Sequence, residues 1–272
     1  MTSAPSRRAV VAAGTALALA PTATAAAASR RPSRAHRPPR TLHIAGDSTA
    51  APKYADAAPE TGWGMALPFF LRKGVTVANH AVDGRSTKSF LDEGRLAAIL
   101  EVIRPDDLLL VQFGHNDQKA ADPSRYTEPW AGYQDNLRRF VTGARERGAR
   151  PVLATSVERR RFDDAGTALR TLGDYPAAMR EVAREERVPL LDVQELSLAL
   201  WQELGPEASK TYFNWTPTEQ DNTHVNPPGA IAVARLVAGA LLHTRVLAPG
   251  DTRRLDDEIP AEWITWPDSE ES

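Results

Sequence analysis

Four short polar blocks hold the residues whose types and spacing could do chemistry. They are Gly46-Asp47-Ser48-Thr49-Ala50, Ala81-Val82-Asp83-Gly84-Arg85-Ser86, Gly114-His115-Asn116-Asp117 and Asp221-Asn222-Thr223-His224. The chemistry they fit is acyl transfer. A serine hydroxyl is a weak nucleophile near neutrality, and an imidazole of ordinary pKa ~6.5 can take and return its proton. Asp221 lies three residues before His224, close enough on a tight loop to accept one ring N–H. That bond would fix the tautomer and stabilise the imidazolium as it forms. A developing oxyanion needs fixed donors, and three are available: the backbone N–H of Ser48, that of Gly84 and the Asn116 side-chain amide. Each such donor is typically worth about 3–4 kcal/mol of transition-state stabilisation.

Residues so far apart need a frame that brings them together. Apolar runs at 42–45, 75–79, 108–113, 152–155 and 188–193 predict five strands. Most are nearly continuous rather than alternating, as strands covered on both faces are. Helix-period segments lie between or after them at 65–73, 87–103, 130–147, 176–186, 193–204 and 228–243. Strand–helix alternation predicts an α/β fold: a parallel sheet with helices on both faces, joined by right-handed crossovers. Ligands of such sheets bind beyond the carboxyl ends of the strands. The first three blocks each follow a strand there, and the fourth immediately precedes the last helix.

Composition narrows the function. Of 272 residues, 42% are hydrophobic, enough for a full core, and there is no cysteine, so disulfides, thiolate metal sites and cysteine nucleophiles are excluded. No His-Glu-x-x-His or comparable ligand cluster appears, so no metal and no cofactor are expected. The net charge of −2 hides an asymmetry, since residues 1–40 carry seven arginines and no acid. Residues 41–272 therefore hold 26 bases against 35 acids, a balance of −9. Such a body repels nucleic acid and anionic lipid, so neither is an expected partner, and no apolar run has spanning character.

Ser6-Arg7-Arg8 before an Ala- and Val-rich stretch and Ala23-Thr24-Ala25 reads as a twin-arginine export signal over 1–25. Export to the extracellular space is the expectation, with 26–40 as a disordered Arg/Pro/Ser/Ala linker and 41–250 as one domain. The acidic tail 251–272, with Trp263 and Trp266, could pack as a strap or stay loose.

Taken together, the four blocks resemble those of the SGNH (GDSL-type) hydrolase superfamily. The finer stretches Ala45–Ala50, Gly62-Trp63-Gly64, Asn79 to Ser86, Ser89-Phe90, Gln112 to Asp117 and Asp221–His224 resemble its rhamnogalacturonan acetylesterase branch (carbohydrate esterase family 12-like). Thr49 stands where the GDSL name has leucine, as in that branch. The resemblance implies a flavodoxin-like three-layer α/β/α sandwich with five strands in the order 2-1-3-4-5. It implies Ser48 as nucleophile, His224 as base and Asp221 as its orienting acid, with Ser48, Gly84 and Asn116 as the oxyanion hole. The implied substrate is an acetylated plant polysaccharide or oligosaccharide, rhamnogalacturonan first, deacetylated through an acetyl-enzyme.

Arg159 and Arg160, in the basic run after the fourth strand, are candidates to pair with substrate carboxylates, since a guanidinium grips a carboxylate with two prongs. Tyr212 and Trp215, ahead of Asp221, are candidates to stack on sugar rings. Alternative readings are a xylan acetylesterase, a broad esterase or lipase of the same superfamily, and a non-catalytic carbohydrate-binding protein. The lipase reading wants an apolar lid or acyl groove, whereas 118–131 is polar. The binding-protein reading leaves Ser48, Asp221 and His224 without a purpose.

Overall fold

A computed structural model of the chain describes residues 39–268. The expected export signal, and the expected linker apart from Pro39 and Arg40, lie outside the described residues. Five strands form one parallel sheet: β1 (Arg40–Gly46), β2 (Val75–Asn79), β3 (Leu108–Gln112), β4 (Arg150–Ala154) and β5 (Leu190–Leu191). Their order is β2-β1-β3-β4-β5, as the resemblance implies. Arg40 pairs with Val75, so the sheet takes in one residue assigned above to the linker.

Strand geometry explains the apolar runs. Successive side chains point to opposite faces, and here both faces are covered. Leu42, Ile44, Leu108, Leu110, Val152 and Ala154 feed one buried cluster. Ala45, Leu109, Val111 and Leu153 feed the other. The first cluster is closed by α1 (Trp63–Ala66), α6 (Val193–Ala208) and α7 (Pro227–His243), and the second by α2 (Thr87–Asp92), α3 (Arg95–Val102), α4 (Gln134–Glu146) and α5 (Tyr175–Glu186).

Three segments depart from the sequence expectation. The helix predicted over 87–103 is two helices, broken at Gly94, whose φ of 71° only glycine adopts without strain. The strand predicted over 188–193 shortens to β5, because Val193 already opens α6. Where a loop is predicted ahead of the last helix, the chain forms an antiparallel hairpin, β6 (Phe213–Trp215) and β7 (Gln220–Val225). Asp221 and His224 therefore sit on a strand rather than a tight loop.

The tail packs as a strap over 251–268. Thr252 bridges Leu71, and Arg253 N–H donates to the Phe70 carbonyl at 2.9 Å. Ile259 and Ile264 are buried in the first cluster. Trp266 Nε1 donates to the Glu60 carbonyl at 2.8 Å, and Ala55 N–H donates to the Pro267 carbonyl at 2.9 Å.

Candidate active site

Three of the expected residues meet directly. Ser48 Oγ lies 2.9 Å from His224 Nε2. His224 Nδ1 lies 2.7 Å from Asp221 Oδ2. The other Asp221 oxygen accepts the backbone N–H groups of Thr223 at 2.6 Å and His224 at 3.0 Å. This ties the carboxylate to its own strand and aims its second oxygen at the ring. Burial disfavours the Asp221 anion, but the bonds from the His224 ring and from both backbone N–H groups prevail and lower its pKa to about 2. Burial likewise disfavours a charged His224, yet the Asp221 bond and the nearby Glu60 charge outweigh it and raise its pKa above the ordinary 6.5.

The Ser48 turn is clamped from four sides. Trp63 N–H donates to the Thr49 carbonyl at 2.9 Å. Asn79 Nδ2 donates to the Ala50 carbonyl at 2.7 Å. Gln112 Oε1 accepts from Thr49 Oγ1 at 3.1 Å and from Trp63 Nε1 at 2.8 Å. Gly62 lets α1 come this close, for a Cβ there would fall 2.0 Å from the Ala51 carbonyl oxygen. Beneath the turn, Asp47 is fully buried and accepts from Thr49 N at 3.0 Å and Oγ1 at 2.7 Å, with His115 Nδ1 at 3.3 Å. Burial opposes its ionisation, but the His115 and Thr49 bonds win and hold its pKa below the usual value. Asp47 and His115 thus serve the turn from below.

The three expected oxyanion donors line the same edge. Gly84 follows β2 with φ of 74°. Among the described residues, the backbone N–H groups of Ser48 and Gly84 donate to no protein acceptor. Asn116 is buried after β3, and its Nδ2 donates to the Arg85 carbonyl at 3.0 Å, joining the third block to the second. Asp117 reinforces that joint by accepting from Thr87 N at 3.1 Å and Thr127 Oγ1 at 2.9 Å.

The four candidate substrate contacts fare differently. Arg159 is half-buried, with Nη1 3.2 Å from Thr171 Oγ1. Arg160 is only 7% exposed and is spent inside the protein, which corrects its assignment as a substrate contact. Its Nε donates to Ser209 Oγ at 3.0 Å, its Nη1 to Asn222 Oδ1 at 2.8 Å and its Nη2 to the Pro206 carbonyl. Its guanidinium carbon lies 4.4 Å from the Trp215 ring centroid. Tyr212 packs edge-on to Trp201 at 6.2 Å. Neither Tyr212 nor Trp215 makes a hydrogen bond or ring contact with Ser48, Gly84, Asn116, Asp221 or His224 among the described residues.

One neighbour escapes a reading by blocks. Lys53, 2% exposed, pairs with Glu60 Oε1 and Asp83 Oδ1, each at 2.6 Å. It links the segment beside His224 to the residue before Gly84. Its only signal in the sequence is a lone lysine between two polar blocks. Among the described residues, no group of three or more His, Cys, Asp or Glu side chains could hold a metal ion, and no helix is long and apolar enough to cross a membrane.

A parallel α/β/α sandwich of this strand order, with serine, histidine and acid gathered at the carboxyl edge, is an SGNH hydrolase fold. Residues 44–230 match the GDSL-like Lipase/Acylhydrolase family, and the chain belongs to that family and so to the carboxylic ester hydrolases. It is 46% identical over 209 residues to the rhamnogalacturonan acetylesterase RhgT of Bacillus subtilis (strain 168), covering 74% of this chain and 88% of that protein. It is 45% identical over 197 residues to the probable rhamnogalacturonan acetylesterase YesY of the same organism, covering 72% and 90%. The X-ray crystal structure of the Bacillus subtilis protein YxiM superposes with a TM-score of 0.67 at 30% identity, over 76% of this chain and 57% of that one. The present chain thus spans just over half of that protein.

Proposed function

We propose that this chain is a serine esterase that removes O-acetyl groups from plant cell-wall polysaccharide, with rhamnogalacturonan as its substrate. The observation that carries this reading is the continuous contact from Ser48 Oγ through the His224 ring to the Asp221 carboxylate. His224 takes the Ser48 proton as Oγ attacks the acetyl carbonyl carbon, forming a tetrahedral oxyanion. The N–H groups of Ser48 and Gly84 and the free amide hydrogen of Asn116 receive that oxyanion. Collapse returns the proton to the sugar oxygen, which leaves as the alcohol. Water, deprotonated by His224, then attacks the acetyl-enzyme and releases acetate.

The acetyl group and the polymer are carried here from the names of the two relatives of 45% and 46% identity. Residues 1–25 we read as an export signal, which would deliver the enzyme to where such polymers lie. The test is acetate release by the purified protein across acetylated rhamnogalacturonan, homogalacturonan and xylan, alongside short and long p-nitrophenyl esters. Rhamnogalacturonan is expected to give the highest kcat/KM, and Ser48→Ala to abolish release from every substrate. Preference for long-chain esters would overturn the polysaccharide reading, and undiminished release by Ser48→Ala would overturn the serine mechanism.

A further inference from the structure

The oxyanion side of the pocket is bordered by cations that the mechanism does not use. Arg125 reaches across from the loop after β3, and its Nη1 lies 3.5 Å from where a Cβ on Gly84 would stand. Its Nε is held by Asp122 at 2.5 Å, leaving the Nη edge turned toward the glycine. Arg125 and Gly84 also line one open groove of about 450 Å³, in which Arg85 and Lys88 stand beside the carboxylates of Asp92, Glu93 and Asp122. Lys119 sits one turn beyond Asn116, donating its backbone N–H to the Asn116 carbonyl at 3.1 Å. Its exposed ammonium has no ion pair or hydrogen bond among the described residues. Arg159 packs against the same loop. With the Gln118 amide turned so that its oxygen faces the guanidinium, that oxygen accepts Nη1 at 2.7 Å and Nη2 at 2.8 Å.

Partial loss of water, then the charges of Arg125 and Arg159, hold Lys119 below the ordinary lysine value. Asp122 pairs with Arg125, and the hydrogen-bonded carboxylates of Glu158, Asp47 and Asp221 favour the charged Arg159. The Lys119 ammonium and the Nη edge of Arg125, beside Gly84, keep charged donors without an acceptor among the described residues, and such donors suit an anionic ligand.

We propose that Lys119, Arg125 and Arg159 form a carboxylate-binding lip on the oxyanion side, which seats the uronate group of an acidic sugar at or next to the acetylated unit. The lip rests on the acetylesterase reading and supplies its preference for acidic polymers. A neutral acetylated xylan offers it nothing to bind.

The test uses the purified full chain with Lys119→Ala, Arg125→Ala and the charge-preserving Lys119→Arg. Two quantities are read. One is kcat/KM for acetylated oligogalacturonate divided by that for acetylated xylo-oligosaccharide. The other is calorimetric binding of unacetylated oligogalacturonate, measured in the Ser48→Ala background. Each alanine variant is expected to lower the ratio and weaken the binding by about tenfold, the loss of one charge-assisted hydrogen bond. Lys119→Arg is expected to restore most of both, and added salt to weaken binding to the parent protein. An unchanged ratio and unchanged binding in Lys119→Ala and Arg125→Ala overturn the lip. If the parent protein releases acetate from neither oligosaccharide while oligogalacturonate binding still depends on Lys119 and Arg125, the lip stands and the acetylesterase reading falls.

Discussion

Arg160 grips Asn222 twice: its Nη1 donates to the side-chain oxygen at 2.8 Å and its backbone N–H to the carbonyl at 2.8 Å. Asn222 lies between Asp221 and His224, so the loop after β4 holds the strand bearing the acid–histidine pair. Trp215 on the partner strand covers the same guanidinium, and a cation over an indole face adds a further attraction. Arg160 is thus a positioning residue, acting through β7 rather than through substrate.

Arg160→Met should lower kcat about tenfold for acidic and neutral acetyl esters alike, because it loosens His224 and leaves the substrate's own contacts intact. It should also cost about 2 kcal/mol of stability, since the buried Ser209 hydroxyl and two partly buried oxygens lose a charged donor. Steady-state kinetics on both substrate types and thermal unfolding check this. A KM rise confined to acidic substrates would restore Arg160 to the binding site and exclude the bracing role.

The pH profile follows from the pair itself. His224 must be neutral to accept the Ser48 proton, and its pKa is raised above 6.5. The acidic limb of kcat/KM should therefore fall with a midpoint above 6.5, while Asp221, at about 2, stays ionised throughout. Glu60→Gln removes one of the charges that favours the imidazolium, and should move that midpoint down by about half a pH unit. Asp221→Asn should lower kcat by about 10³–10⁴-fold, as losing the orienting acid does in other serine hydrolases. An acidic limb below pH 6 in the parent protein would contradict this account of the pair.

Much of this site could be read from the chain because its parts are local. Each block sits at the end of an apolar run, and a parallel sheet gathers such ends on one edge. What could not be read depends on side-chain direction across distant segments. Arg159, Arg160 and Arg161 look alike in sequence, yet Arg160 turns into the protein because the β6–β7 hairpin gives it Asn222 and Trp215 as partners. That hairpin carries no alternating apolar pattern, since Gln220 to His224 are all polar, so periodicity could not announce it. Lys53 and Arg125 were hidden in the same way, as lone charges in polar loops whose relation to Glu60 and Gly84 exists only in the fold.

A pair of histidines away from the site sets acid stability. His43 Nδ1 lies 3.0 Å from His80 Nε2, with the rings stacked at 5.2 Å. Burial, then the neighbouring ring's charge, lowers the His80 pKa to about 4, and burial also lowers that of His43 despite Asp107. As pH falls from 6.5 toward 4, the unfolded chain takes up protons that the folded one refuses, so stability is lost across that window. His80→Asn should flatten the dependence, sparing about 5 °C of the Tm loss between pH 7 and 4.5. Thermal unfolding at a series of pH values measures this, and parallel curves for the two proteins would rule the pair out as its source.

The strap over 251–268 is a part of the fold and not an appendage. Ile264, 5% exposed, joins the core formed with α1 and α7. Trp266 fixes the Glu60 carbonyl, and Thr61 in turn donates its N–H to the Val225 carbonyl at 2.9 Å, one residue from His224. Ile264→Ala should cost about 3 kcal/mol through lost burial and the space it leaves. Trp266→Ala should be milder in stability but lower kcat several-fold, because the segment carrying Glu60 and Thr61 loses its outer anchor. Ending the chain at residue 250 should combine both losses, giving a protein that unfolds at markedly lower denaturant concentration. Denaturant titrations of the three variants with acetate-release kinetics decide the matter, and a fully stable, fully active protein ending at residue 250 would show the strap to be dispensable.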